Sequence, residues 1–367
     1  ILTGGPGAIF WMWFIAFFGM ATIYAEAVLA QKTRVIQDDG TIHGGPVYYI
    51  KAAFPNKFGD FLAGFFAIAI ILALGFMGCM VQSNSIGATC STAFGIPSWV
   101  IGLIVAGVAA FIFIGGINRI ASVAEKIVPV MALLYIVGGI VVLIMRASYI
   151  PETFGMIFKY AFMPNAIIGG SVGYAIKTAI SQGAKRGLFS NEAGMGSTPH
   201  AHAMANVKKP HDQGVVAMVG VFIDTFVVVT MTALVVISTL YAGDGVLASG
   251  VADGVDKTNM GQLAFSVAFG DTAGSIFIAI CMMFFAFSTI LSWNFFGKVN
   301  VNYLFGKKGT KIYSVIAIGF IFLGSCLSND LVWELADMFN QIMVLPNVIA
   351  LMAMSGVVIA VSRGKNK

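Results

Sequence analysis

The chain has 367 residues, of which 58% are hydrophobic and only 10% charged, with a formal net charge of +5 and a mean hydropathy of +0.90. Soluble domains carry about 25% charged residues, so a soluble fold is excluded. Apolar runs that are continuous rather than alternating exclude a transmembrane β-barrel, and the positive surplus needs no nucleic acid, because membrane topology accounts for it.

Nine apolar segments are read in chain order, at 8–30, 60–84, 98–117, 124–145, 166–188, 214–241, 266–293, 312–328 and 332–361. Each is near the roughly 20 residues that cross a bilayer. The fifth is the weakest, with Gly169, Gly170, Gly173 and Lys177 inside it, and the last is expected to divide at Pro346. Three pieces lie between spans. Residues 40–50, GTIHGGPVYYI, read as a loop with a turn and an aromatic anchor. Residues 151–164, PETFGMIFKYAFMP, read as an amphipathic helix on the outer surface, and 242–262 as a polar outer loop. No soluble domain remains, so the chemistry must lie among the helices. The whole chain, 1–367, is one transmembrane domain.

Basic residues orient the spans. Of 21 Lys and Arg, 17 fall in or beside one set of loops and the C-terminal tail, and only Arg146, Lys159 and Lys257 in the other. The C-terminus is therefore expected in the cytoplasm. The chain opens at Ile1 and runs directly into a span, from which missing N-terminal sequence is expected. Cys79, Cys90, Cys281 and Cys326 have no CxxC spacing and read as small apolar residues. The 43 glycines suit close helix packing in lipid.

The most unusual stretch is Gly183–His202, GAKRGLFSNEAGMGSTPHAH. Two registers are open. In one, the fifth span ends near Leu188 and the stretch is a cytoplasmic loop. In the other, the helix breaks over 189–197 near mid-membrane, and 198–208 forms an inner half-helix about 16 Å long. Polar backbone survives at that depth only beside protein or a cavity. The N–H groups opening the inner half would favour a carboxylate, and the freed carbonyls of the outer half a cation or ammonium group. Such a site fits a zwitterion with a co-bound cation. Gly194 and Gly196 permit close backbone approach, Ser190 and Asn191 can donate and accept, and Phe189 can cover an apolar side chain.

Other polar groups inside apolar runs are weaker candidates. Ser288 and Thr289 offer hard oxygens suited to Na⁺, with Trp293 one turn on; bonding back to their own helix carbonyls is the structural alternative. Gln82 and Asn84 line a vestibule or bond between helices. Asp224 serves a proton relay or pairs with Lys177, and Glu26 snorkels or caps. His200, His202 and His211 lack carboxylates or cysteines at ligand spacing, so no transition-metal site is expected. No Walker loop, HExxH or GxSxG motif is present, so the chain is expected not to be an enzyme.

The runs GGPGAIFWMWFIAFFG (Gly4–Gly19), MATIYAEAVLAQKTR, GGPVYYI, GAKRGLFSNEAGMGSTPHAHA and FAFSTILSW occur in the order, and with the residues, that resemble the prokaryotic alanine or glycine:cation symporters over essentially the whole chain. The resemblance implies an all-α polytopic membrane protein with a LeuT-type inverted-repeat bundle. It implies import of a small neutral amino acid, alanine or glycine, coupled to Na⁺ by alternating access, in a prokaryotic plasma membrane, by a monomer. It favours the broken-helix register. It places substrate against Phe189, Ser190, Asn191, Gly194, Gly196, Gln82 and Trp293, and Na⁺ at Ser288 and Thr289, with no other cofactor. Residues 1–146 then form an incomplete first repeat without its broken helix, and 147–367 the second, so the chain is expected to be a fragment. The rival readings are another small solute, proton coupling on the same scaffold, or a passive channel.

Overall fold

The computed structural model describes residues 1–36, 42–163, 172–249 and 254–364, without the side chains of residues 117, 118 and 172. The architecture is helical throughout, with one two-residue hairpin, β1 (Val35–Ile36) and β2 (Ile42–His43), paired antiparallel. The first half comprises α1 (Ala8–Thr33), α2 (Pro46–Ala53), α3 (Lys57–Ile70), a π-helical stretch (Ile71–Gly78), α4 (Cys79–Phe94), α5 (Ser98–Ile114), α6 (Gly116–Met145) and α7 (Ile150–Phe162). The second half comprises α8 (Val172–Asn191), α9 (Pro199–Met204), α10 (Pro210–Phe222), a second π-helical stretch (Ile223–Val229), α11 (Thr230–Leu240), α12 (Met260–Phe269), α13 (Asp271–Gly324), α14 (Asn329–Ala353) and α15 (Ser355–Ser362).

Helices that are apolar all round must be buried or lie in lipid. Among the described residues, six are long and apolar enough to cross a membrane: Ala8–Thr33, Lys57–Phe94, Arg119–Met145, Pro210–Leu240, Asp271–Gly324 and Asn329–Ala353. Together with its family, given below, this makes the chain a multi-pass membrane protein.

Two packing groups matter for the site. α1 lies against α8, α9 and α10, and α13 against α4, α5, α12 and the first π stretch. Small residues allow the close approach: a Cβ on Gly183 would sit 2.4 Å from the Ala8 carbonyl oxygen, and one on Gly214 2.6 Å from the Tyr24 ring. α14 packs on α3, α4, α2 and the first π stretch, and its side chains reach α1 and α8 through Glu26 and Arg186.

Several boundaries differ from the sequence expectation. The last apolar segment does not divide at Pro346. α14 runs through that buried proline and ends at Ala353, because neighbouring groups in a helical bundle can re-satisfy the carbonyl a proline frees. The expected loop between 293 and 312 is helical too. α13 is two helices that meet at Gly306 (φ 69°, ψ −173°), a backbone shape open to glycine. The second folds back on the first, so that Tyr313 reaches Asn294 and Gly297, and the two arms correspond to the seventh and eighth apolar segments. The 40–50 piece is partly a helix rather than a loop: Pro46 opens α2, and Tyr49 is completely buried, while residues 40 and 41 lie outside those described. α7 matches the amphipathic reading, burying Thr153, Ile157 and Ala161 on one face. Cys79, Cys90 and Cys281 are buried, but Cys326 is exposed.

Candidate substrate site

α8 stops at Asn191 and α9 begins at Pro199, so seven residues, Glu192–Thr198, interrupt the helix. The local cause is visible in the residues. Glu192, Gly194 and Gly196 have φ of 56°, 87° and 80°, values that glycine adopts freely and glutamate at a cost. The side chain of Asn191 turns back to accept from the Ala193 amide at 3.1 Å, offering the backbone an alternative to helix. Pro199 then starts α9 where a missing N–H does no harm. The inner half is six residues, about 9 Å, shorter than the 198–208 expected.

Opened backbone must find partners, and the structure supplies them from distant helices. The Glu26 carboxylate of α1 is completely buried. It accepts from the Gly194 and Gly196 amides, each at 2.9 Å, and from Asn347 Nδ2 of α14 at 2.7 Å. Asn347 also donates to the Gly194 carbonyl at 2.9 Å and accepts from the Tyr49 hydroxyl. Glu26 therefore does not snorkel. It caps, but what it caps is the interrupted segment rather than its own helix. The anion expected at these amides is thus one of the protein's own carboxylates.

Most of the remaining polar groups are committed too, although Thr198 Oγ1 is buried without a hydrogen-bond partner. Ser197 Oγ donates to Glu192, and Trp293 Nε1 donates to the same carboxylate at 2.6 Å. His200 Nδ1 donates to the Ser197 carbonyl at 2.7 Å, which leaves Nε2 to accept from Asn300 at 2.8 Å. Ser190 donates to both oxygens of Asp224 (3.2 and 2.9 Å), Thr225 to Asp224 (3.0 Å) and Asn191 to Thr225 (3.2 Å). Asp224 is thus held by hydroxyls, and the expected pairing with Lys177, which is exposed, does not occur. Asp224 and Thr225 lie in the second π stretch, and Gly78, ending the first, faces Trp293: a Cβ there would meet the ring at 2.5 Å. π-helical turns recur at functional sites, and here one lies on each side of the interruption.

Aromatic rings form the apolar wall. Phe189 packs edge-on to Trp293 (centroids 5.6 Å apart) and tilts onto Trp333 (5.2 Å). Arg186 lies 4.4 Å over Trp333 and makes a two-pronged bond to Asp337 (3.2 and 3.1 Å), which Lys185 joins at 2.6 Å. Arg186, Trp333 and Asp337 line an open cavity of about 460 Å³, with Phe189 packed on the Trp333 at its edge.

A comparison with known proteins decides what this arrangement belongs to. The model of the sodium:alanine symporter family matches residues 1–365. The chain belongs to the sodium:alanine symporter family. It is 41% identical to the sodium/alanine symporter AgcS of Methanococcus maripaludis, over 99% of this chain and 78% of that protein. It is 38% identical to the amino-acid carrier protein AlsT of Bacillus subtilis, over 97% and 73% respectively. It is 37% identical to the "Probable sodium/glutamine symporter GlnT" of Bacillus subtilis, over 98% and 72%. This is a family of sodium-coupled transporters, not of enzymes.

The residues singled out from the sequence fall into three places. Phe189 and Trp293 meet, and Glu192 joins them. Ser190 and Asn191 face the second π stretch, whereas Gly194 and Gly196 face Glu26. Gln82 is half-buried, four residues beyond the Gly78 that faces Trp293. Ser288 and Thr289 bond back to their own helix. Both hydroxyls donate to the Phe285 carbonyl at 2.9 Å, and Ser288 also approaches Met131 Sδ at 3.5 Å. Asn84 bonds between helices, donating to the Gly324 and Leu327 carbonyls. Sequence reading missed Asn347, Tyr49 and Trp333, and it missed the part Glu26 plays.

Trp293→Phe preserves the edge contact with Phe189 but removes the donor that holds Glu192. Sodium-driven amino-acid uptake is expected to fall five- to tenfold, the equivalent of about 1–1.5 kcal/mol for one buried hydrogen bond. Initial uptake rates in liposomes measure it, and a rate equal to the parent's would show that this bond carries none of the function.

Proposed function

We propose that the protein imports a small neutral amino acid, alanine or glycine, together with Na⁺, by alternating access in a prokaryotic plasma membrane. On this reading the scaffold is a LeuT-type inverted-repeat bundle of nine spans with a cytoplasmic C-terminus. Residues 1–146 belong to the first repeat and 147–367 to the second. The observation that carries the proposal is the interruption at Glu192–Thr198, stitched to α1 and α14 by Glu26 and Asn347 and walled by Phe189 and Trp293. An interrupted helix held between neighbours can exchange backbone partners at small cost, which is what opening and closing around a ligand requires.

The side chains divide the work. Phe189, Trp293 and Gln82 enclose the small apolar part of the substrate, and Ser190 and Asn191 meet its polar end beside Asp224. Gly194 and Gly196 keep the backbone close. Because Glu26 already holds the amides of Gly194 and Gly196, the substrate carboxylate binds other donors. Ser288 and Thr289 contribute to the Na⁺ site: a hydroxyl that donates to Phe285 keeps its oxygen lone pairs for a cation. Coupling follows if closure needs both ligands.

The test is uptake of radiolabelled alanine by the purified chain in liposomes with an inward Na⁺ gradient. Accumulation above equilibrium that collapses with the gradient is expected. Equilibration without accumulation would make the protein a passive channel, and accumulation driven by protons alone would remove the sodium coupling. Likeness to a glutamine symporter favours a second reading, another amino acid on the same scaffold. Competition by glutamine stronger than by alanine or glycine would establish it.

A further inference from the structure

Asn340 of α14 is 6% exposed, yet neither its Oδ1 nor its Nδ2 has a hydrogen-bond partner. Buried carboxamides are nearly always satisfied, and one open at both ends calls for a specific reason. Its position narrows that reason. α14 is tied to the interrupted region at two heights: Asp337 takes Arg186, and Asn347 takes Glu26 and the Gly194 carbonyl. Asn340 lies between these ties. It is seven residues before Asn347, so the two project within about 20° of one another and about 10 Å apart along the axis. Asn340 is therefore level with the last turn of α8, the turn that carries Phe189 and Asn191.

Thr198 Oγ1 is the other unpartnered group there, a single hydroxyl, and the acids and amides that hold the interruption together are spoken for. Glu192 is bound to Ser197 and Trp293, and Asn347 to Glu26, Gly194 and Tyr49. We propose that Asn340 contacts the substrate and fixes its head group. Its Nδ2 donates to the α-carboxylate and its Oδ1 accepts from the α-ammonium group of one amino acid. This rests on the symport reading above, and it supplies the carboxylate donor that the amides of Gly194 and Gly196, bound to Glu26, do not.

Leucine has nearly the shape of asparagine and no hydrogen-bonding groups. If Asn340 were only structural, Asn340→Leu would remove an unsatisfied amide and be neutral or stabilising, with transport unchanged. The experiment compares the full chain with Asn340→Leu and Asn340→Asp, in liposomes for the KM of sodium-driven alanine uptake and in detergent for the alanine-induced rise in unfolding temperature. Asn340→Leu is expected to unfold at or above the parent's temperature, to raise KM at least tenfold and to lose the alanine-induced rise. Asn340→Asp, which keeps an acceptor but loses the donor, is expected to raise KM as well. A parental KM and a parental ligand shift in Asn340→Leu would overturn the proposal, as would a lowered unfolding temperature with KM unchanged. If parental uptake ignores the sodium gradient, the symport reading fails while the KM and ligand-shift comparisons still judge Asn340. If neither alanine, glycine nor glutamine shifts the parent's unfolding, the assignment of Asn340 falls too.

Discussion

Glu26→Ala is expected to lower sodium-driven alanine uptake at least about a hundredfold. The carboxylate is fully buried and accepts from the Gly194 amide, the Gly196 amide and Asn347. Alanine leaves two backbone N–H groups without an acceptor and takes one of three hydrogen bonds from Asn347, in a place water does not reach. Breaking a buried charged partnership from one side costs roughly 3–5 kcal/mol, and each 1.4 kcal/mol is a factor of ten. The cost falls on the segment that must hold the substrate, so transport should fail before the bundle does. Glu26→Gln keeps the size and one carbonyl acceptor, but it turns an NH₂ toward donors and is expected to lose about tenfold. The readout is initial uptake rate, normalised to protein reconstituted. Parental uptake by Glu26→Ala would mean that the interruption holds itself, and the proposed architecture of the site would be wrong.

How far the site is legible in the sequence follows from the range of the interactions. The interruption is local: two glycines, an asparagine that bonds its own backbone and a proline lie within nine residues. The residues left a loop and a broken helix both open, and the broken-helix register, favoured by the resemblance, lies within a few positions of the observed break. The partners of that break are not local. Glu26 is 168 residues from Gly194, and Asn347 is 321 residues from Glu26. In the sequence, Glu26 is one acid near the end of an apolar run, where snorkelling is the ordinary outcome. Asn347 reads as an unremarked amide beside a proline. Nor does the sequence mark the π stretches, in the first of which Gly75 and Gly78 lie against Tyr313 and Trp293 of α13. Pro346 is the converse case. Its local signal is strong, but α14 overrides it because the residue is buried within a bundle.

The two glycines of the interruption should respond differently to the same substitution. Both have positive φ, 87° at Gly194 and 80° at Gly196, so alanine at either carries a left-handed penalty of about 1–2 kcal/mol. The surroundings separate them. A Cβ at Gly194 would meet only Thr22 Cγ2, at 3.1 Å, a single methyl of a half-buried side chain. A Cβ at Gly196 would lie 2.8 Å from Phe66 Cε2 and 3.0 Å from Asn347 Cγ. Neither neighbour can retreat. Phe66 is fully buried and stacks on His200, and Asn347 is fixed by Glu26, Gly194 and Tyr49. Overpacking of this kind adds about 1–3 kcal/mol. Gly194→Ala is therefore expected to cut uptake about tenfold, and Gly196→Ala several hundredfold or to block stable insertion. Phe66→Leu removes the nearest clashing atom, so the double variant should recover part of what Gly196→Ala loses, a coupling that independent sites do not show. Equal losses at both glycines, with no recovery in the double variant, would mean that backbone conformation alone sets the cost and that the packing of Phe66 against this segment is irrelevant to it.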